Sequence, residues 1–212
     1  LRGDIDHAIE SFLKVNDYNG AVEACVSLDE WQKALELSER YEKIDKKNVI
    51  SRYAKYLTNN SQISMALHLL IKNNLSAEAS QMLSIEGNNA LLQQNYVFAK
   101  KCYLFAALQS MKSTNNEVET KKLWHQCEAI HFLITANKAI LKFHWVESVE
   151  LVSRLFSDYS DVVGKDRAAA FLTIVGIYST FYKQCSLGFI HLENSKNLSK
   201  KKKEQFEKMA FK

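Results

Sequence analysis

One stretch, WHQCEAIHFLITANKAILKF from Trp124 to Phe143, does most to limit what this chain can fold into. At the α-helical period Leu123, Cys127, Ile130, Ile134 and Leu141 fall on one face, while Phe132, Ala136, Ala139 and Phe143 fall on the opposite one. A single apolar stripe would suffice for a helix resting on a core. Two stripes require neighbours on both sides, as in a stack where each helical layer covers the last. A third stripe of Trp124, Glu128 and His131 runs between the faces at spacings of four and three residues. It reads either as a chemical site or as a packing device.

The rest of the chain agrees with helix. There is no proline and there are only six glycines in 212 residues, so the corners of a strand-and-turn architecture lack their usual residues. A hydrophobic fraction of 47% with 25% charged residues is that of a folded chain, long enough for one sizeable core or several small ones. No apolar run is long enough for a membrane-spanning helix. The formal net charge of +4, with lysines mostly alternating with glutamates, does not indicate nucleic acid. Cys25, Cys102, Cys127 and Cys185 lie far apart in apolar helical patterns with no CxxC pair, which reads as reduced core thiols of an intracellular protein. The chain opens on Leu1 rather than Met, so a fragment of something longer is expected.

The first third repeats itself. Ala8-Ile9, Ala21-Val22 and Ala34-Leu35 are thirteen residues apart, and Val15 with Leu28 and Tyr18 with Trp31 keep the same offset. Thirteen residues leave about ten for a helix, roughly 15 Å, plus a tight reversal, so successive helices run antiparallel. Asn16 and Asp17 precede Tyr18 as turn residues, and Asp29 with Gln32 resembles a capping box. The alanine at each repeat position lets two helices approach closely. The pattern resumes after Lys46-Lys47-Asn48, breaks at Asn59-Asn60-Ser61, and returns with Ala66 and Ala79, again thirteen apart. Gly87-Asn88-Asn89 is expected to close that helix with a left-handed cap.

Longer helices are expected beyond residue 93: Val97 to Met111, Glu117 to Phe143 across the polar loop 113–116, and Val146 to Phe156. Gly164-Lys165-Asp166 opens AAAFLTIVGIYSTFYKQ, apolar around nearly its whole circumference and expected to be the most buried helix. Ser186 and Gly188 mark a small-residue contact, and the end from Asn197 is amphipathic through Phe206, Met209 and Phe211. The fold class is therefore all-α: a single α-solenoid of antiparallel helical hairpins over 1–212, tetratricopeptide-like and coatomer-like, with short helices in 1–93 and longer ones in 94–212.

The candidate chemistry is thin. Glu128 and His131 have the spacing of two di-iron ligands on one helix, but no second such pair and no set of four converging zinc ligands is evident. No G-x-S-x-G nucleophile elbow and no phosphate-binding glycine loop occur, so neither an enzyme nor a cofactor, metal or small-molecule substrate is expected. Lys200, Lys201, Lys202 and Lys203 form the main charge run, placed where a helix start disfavours cations; the readings are a solvated helix end, an acidic partner or an anionic membrane. Aromatics at the hairpin turns, Tyr18, Trp31 and Tyr41, are candidate partner contacts, set against a core-packing role for the repeat positions Tyr18 and Trp31.

Several of these stretches also resemble a known family. AIESFLKVNDYNGAVEACVSLDEWQKAL at 8–35, SRYAKYL at 51–57, AKKCYLFAAL at 99–108, the W-x-x-x-E-A-x-H-F pattern of Trp124, Glu128, Ala129, His131 and Phe132, and the closing CSLGFIHLENSKNLSKKKKEQFEKMA are similar to the WD-repeat and tetratricopeptide subunits of the intraflagellar transport A complex. That resemblance implies a solenoid following β-propellers, a non-catalytic scaffold docking other subunits of the complex, retrograde ciliary transport and entry of membrane cargo, and residence in the cytoplasm, cilium and ciliary base. The polar insert before the W-x-x-x-E-A-x-H-F helix, often long in that family, is filled here by residues 112–122. The cysteine-rich zinc module that family members can carry after the last helix is not in this sequence. A vesicle-coat solenoid of the coatomer kind and, from another class, a metal-binding helical-bundle enzyme are the alternatives, and an RNA-binding helical repeat is a third.

Overall fold

The computed structural model describes residues 2–113, 117–196 and 198–210. Among them every regular element is a helix: α1 (Arg2–Lys14), α2 (Tyr18–Ser27), α3 (Trp31–Arg40), α4 (Lys46–Asn59), α5 (Ile63–Lys72), α6 (Ser76–Leu92), α7 (Tyr96–Lys112), α8 (Glu117–Leu141), α9 (Trp145–Ser157), the short α10 (Ser160–Val163), α11 (Lys165–Tyr178), α12 (Tyr182–Asn194) and α13 (Lys200–Ala210). The fold is all-α, built of helical hairpins in the manner of an α-solenoid. It divides into two compact units, residues 1–79 and 80–212, with the boundary inside α6.

One turn is used again and again. Asn16, Asp29, Ser61, Asn74, Gln94, Phe143 and Thr180 all hold φ between 58° and 61°, each two residues before a helix starts. In the first six, the amide of the following residue reaches back five positions (Asp17 N to Phe12 O, 3.0 Å; His144 N to Ala139 O, 3.0 Å), and the left-handed residue's own amide reaches back three. This is the Schellman arrangement, which satisfies carbonyls the ending helix leaves free. The residue after the left-handed one then serves as N-cap of the next helix, so reversal and restart share two residues. Asp17 and Asn95 complete the start by accepting Gly20 N–H and Phe98 N–H with their side chains.

Two further positions recur with this turn. The first residue of the new helix is Tyr18, Trp31, Ile63, Ser76, Tyr96, Trp145 or Tyr182, and the residue three later is Ala21, Ala34, Ala66, Ala79, Ala99, Ser148 or Cys185. The five alanines and Ser148 are wholly buried. A small side chain there lets the incoming helix lie close against the outgoing one. The thirteen-residue spacing of the sequence is this turn with short helices between.

In the first unit Ile9, Ala21, Val22, Cys25, Ala34, Leu37, Ile44 and Val49 form a core bounded by Tyr18 and Tyr41. Trp31 stacks on Tyr53 (centroids 5.2 Å, planes 13° apart) and tilts against Tyr56. Ion pairs then tie helix to helix: Lys33 to Asp6 at 2.6 Å, Lys46 to Glu39 at 2.9 Å, Lys47 to Glu78 at 2.7 Å, and Arg52 to Glu23 through both guanidinium nitrogens.

In the second unit α8 packs on α7 and α9, α9 on α11, and α11 on α12. The two apolar faces of α8 join through Ala129 and Leu133 into one broad buried arc with Leu123, Cys127, Ile130, Ala136 and Ala139. Glycine allows the tightest approaches. A Cβ on Gly176 would meet the Cys185 backbone nitrogen at 2.7 Å, and one on Gly188 would meet Ala169 O at 2.7 Å, so α11 and α12 touch backbone to backbone.

Several expectations need correction. Gly87 does not cap a helix: α6 runs through it to Leu92, and its missing side chain admits the buried Tyr103 ring, which a Cβ would approach to 2.8 Å. Asp29 is the left-handed turn residue rather than a capping-box N-cap; Glu30 takes that place and makes no side-chain cap. The segment expected as one helix over 168–184 breaks at Thr180 into α11 and α12, because the turn above recurs there. Lengthening begins before residue 93, with α6 already 17 residues, peaks at 25 in α8, and falls back to 13 or 14 in α9, α11 and α12. Leu141 and Phe143 leave the faces of the Trp124 helix: the helix ends at Leu141, and both side chains are more than 70% exposed. Residues 114–116, Asn197, Phe211 and the Met209 side chain lie outside the described residues.

Candidate functional site

The stripe on α8 sits on its outer edge. Glu128 and His131 are exposed and Trp124 is half-buried. Each polar member reaches sideways to a different neighbour. The Tyr159 hydroxyl donates to Glu128 Oε2 at 3.2 Å, and Lys100 Nζ on α7 lies 2.9 Å from His131 Nδ1. An ammonium at that distance opposes a metal cation on the same ring. Among the described residues no group of three or more His, Cys, Asp or Glu side chains is placed to hold a metal. His125 belongs to another cluster, 3.1 Å from Asp161 and against the Tyr159 ring, which also stacks on Phe132.

Of the turn aromatics, Trp31 is not an exposed contact. It is 8% exposed and enclosed by Tyr53 and Tyr56. Its indole N–H is buried without a hydrogen-bond partner. Tyr18 and Tyr41 are half-buried and pack on each other, centroids 5.0 Å apart, with Lys43 Nζ over the Tyr18 ring at 5.2 Å.

The lysine run opens α13. Lys200, Lys201 and Lys202 are exposed, whereas Lys203 turns back and donates to Glu193 O at 2.6 Å. That carbonyl is in the last turn of α12, where a cation complements the negative end of the helix. One lysine of the four therefore has a structural task.

Thiol chemistry is suppressed throughout. Burial pushes the Cys102 thiol up to about 11 and raises Cys25, Cys127 and Cys185 in the same direction. Thiolate, the nucleophile, is scarce at neutral pH under those conditions. Tyr103, wholly buried and donating to Asn88 Oδ1 at 2.7 Å, is pushed up to about 12 by the same desolvation. Tyr159 is raised by burial and by the neighbouring Glu128 carboxylate.

A surface the sequence did not single out lies where two of the repeated turns meet. The α8–α9 turn and the α11–α12 turn come together through Trp145, stacked on Tyr178 at 4.8 Å with planes 17° apart and met edge-on by Phe143 at 5.8 Å. Around this stack Leu141, Val146, Tyr178 and Tyr182 are each more than half exposed. The signal for it was present: Phe143-His144-Trp145 and Thr180-Phe181-Tyr182 repeat the order of turn residue, cap and aromatic seen at Asn16-Asp17-Tyr18.

Comparison with known proteins agrees with the resemblance in the sequence. Residues 121–212 match the family of IFT121-like, TPR repeats. Over 242 aligned positions the chain is 25% identical to WD repeat-containing protein 35 of Rattus norvegicus, and equally so to the proteins of that name from Mus musculus and Homo sapiens. Each alignment covers 99% of this chain and 20 or 21% of the relative. The chain thus spans about a fifth of the length of the curated relatives it matches. The aligned length exceeds 212, so the relatives carry residues with no counterpart here.

Proposed function

We propose that this chain is a non-catalytic scaffold segment of an intraflagellar transport A subunit, working in the cytoplasm, cilium and ciliary base. It docks partner subunits of that complex through helix faces and hairpin ends, in support of retrograde ciliary transport and ciliary entry of membrane cargo. The supporting observation is the likeness to WD repeat-containing protein 35 along 99% of the chain, joined to a hairpin architecture that offers long helical surfaces. The polar residues that could have suggested a reaction, Glu128 and His131, are occupied with Tyr159 and Lys100. On this reading the interactions are burial of apolar surface with a charged rim rather than bond-making. Lys200, Lys201 and Lys202 are a further candidate contact, for an acidic partner or an anionic membrane.

The test is a pull-down with the chain as bait against separately expressed intraflagellar transport A subunits and, in parallel, coatomer subunits. Retention of at least one intraflagellar transport A subunit and of no coat subunit is the expected result. Retention of coat subunits alone would replace this reading with a vesicle-coat solenoid.

A further inference from the structure

We propose that the aromatic apex formed by the α8–α9 and α11–α12 turns is a docking surface for an acidic amphipathic helix supplied by another polypeptide. Phe143, Trp145 and Tyr178 stack in sequence, Leu141, Val146 and Tyr182 stand at the helix ends that flank the same two turns, and Phe143 and Tyr182 are 73% and 71% exposed. Large exposed side chains gathered in this way mark interaction sites, and aromatics are the residues on which binding energy concentrates.

The backbone beneath Phe143 adds a separate observation. Phe143 holds φ at 59° and Thr180 at 61°, in the left-handed region that bulky and β-branched residues disfavour. The same turn at Asn16, Asp29 and Asn74 uses residues that tolerate it. An asparagine at 143 would serve the reversal better than phenylalanine does, so the aromatic side chain is kept for something other than the turn.

Charge decides the class of occupant. Lys142 lies between Leu141 and Phe143 in the chain, Lys138 one helical turn earlier, and Lys183 directly after Tyr182; all three are exposed. Of the nearby acids, Glu150 pairs with Arg154 at 3.4 Å and Glu147 lies 3.2 Å from the His144 ring, which leaves the three lysines in excess. The second unit as a whole holds eighteen lysines and arginines against twelve aspartates and glutamates. An acidic rim on the occupant complements that excess. The apex consists of helix ends, with no strand edge to which an extended peptide would add. The occupant must satisfy its own backbone, which a helix does, with apolar anchors at i, i+3, i+4 and i+7.

This surface deepens the scaffold reading but is tested apart from it, with purified components only. The whole chain is titrated into a fluorescein-labelled helical peptide carrying leucine and phenylalanine at the anchor positions and glutamates on the flanking faces, and into the same peptide with lysines for glutamates. The glutamate peptide is expected to bind at least about tenfold more tightly than the lysine peptide, with affinity falling as salt rises. Phe143→Asn, which suits the turn, and Tyr182→Ser are each expected to weaken binding at least about tenfold while the melting temperature holds or rises. Equal affinity for the two peptides, no binding of the glutamate peptide, or binding untouched by Phe143→Asn overturns the proposal. So does a result in which Phe143→Asn abolishes self-association, or attachment to phosphatidylserine-containing vesicles, and leaves the peptide unaffected. Failure of the pull-down with intraflagellar transport A subunits would leave the peptide result standing.

Discussion

The two units use the same turn and are held together by different means. Residues 1–79 carry ten basic against twelve acidic side chains, and residues 80–212 carry eighteen against twelve, so a net of −2 faces a net of +6 within a chain of +4. In the first unit lysine and arginine pairs join separate helices, and a Trp31, Tyr53 and Tyr56 stack fills the space between α3 and α4. In the second, Lys121 pairs with Glu117 and Arg154 with Glu150 along a single helix, and histidines join the helices, His125 to Asp161 and His191 to Asp166. Close backbone contact at Gly176 and Gly188 does the work that large side chains do in the first unit. The first unit stacks Trp31 inward and holds Tyr18 and Tyr41 half-buried; the second turns several aromatics outward, at Phe143, Tyr178 and Tyr182. Once glycine and alanine bring helices together, aromatic residues at their ends are released for contact with something else.

The strongest way to break that contrast is to exchange side-chain volume. Trp31→Ala empties the aromatic stack of the first unit and is expected to cost about 3–5 kcal/mol, read as a lower melting temperature with faster hydrogen exchange in α3 and α4. An unchanged melt would mean that Tyr53 and Tyr56 hold α3 to α4 unaided. In the second unit the opposite change should do comparable damage. Gly176→Val drives a side chain into the Cys185 backbone, for an expected loss of about 3 kcal/mol, with exchange protection lost in α11 and α12 first. Retained protection there would contradict the backbone contact.

His131→Ala is expected to change stability by less than about 0.5 kcal/mol, since the ring is exposed and meets only Lys100 in a polar contact. A packing device, one of the two readings of the stripe, would instead show a clear loss of stability on removal of the ring. A cost above about 2 kcal/mol would restore that role.

The smallest effect concerns pH. Arg52, Lys46 and Lys47 hold the carboxyls of Glu23, Glu39 and Glu78 below their ordinary value of 4.5, chiefly by direct hydrogen bonds. A carboxyl with a lowered folded value stabilises the fold above 4.5 and loses that contribution as pH falls through the folded value. Lys33 and Lys47 are raised above 10.5 by Asp6 and Glu78, so their contribution is full below 10.5 and lost as pH rises further. The melting difference between the parent and Glu78→Gln should therefore be flat between those limits and shrink below 4.5. The groups are largely exposed, so the difference is small and screened by salt. A difference that persists into strong acid would assign it to something other than the ion pair.

Much of the fold was legible because helical period and small residues leave direct marks. Ala21, Ala34, Ala66 and Ala79 announce their spacing, and each is wholly buried. What escaped had no local signature. Thr180 is β-branched and carries nothing that advertises a left-handed turn, so α11 and α12 read as one helix. Gly87 looks like a cap, and only the Tyr103 ring sixteen residues away explains it. The α8 stripe was visible as a pattern, but which way it faced was set by where α7 and α9 lie, a tertiary fact that periodicity does not contain. Trp31 was marked as a repeat position with two readings, core packing and partner contact, and its burial goes with the first; aromatic type alone does not tell an inward ring from an outward one.

The reversal at Asn74 follows a helix of ten residues and the one at Phe143 a helix of twenty-five, yet their paired amide bonds match within 0.1 Å. The joint is indifferent to the length of the board. Whole helical turns, about 5.4 Å apiece, can be gained or lost between joints without redesigning any of them. Related chains are therefore free to differ most in how far their corners project, and it is at a corner, beyond the 25-residue α8, that this chain displays the most exposed aromatic ring among the described residues.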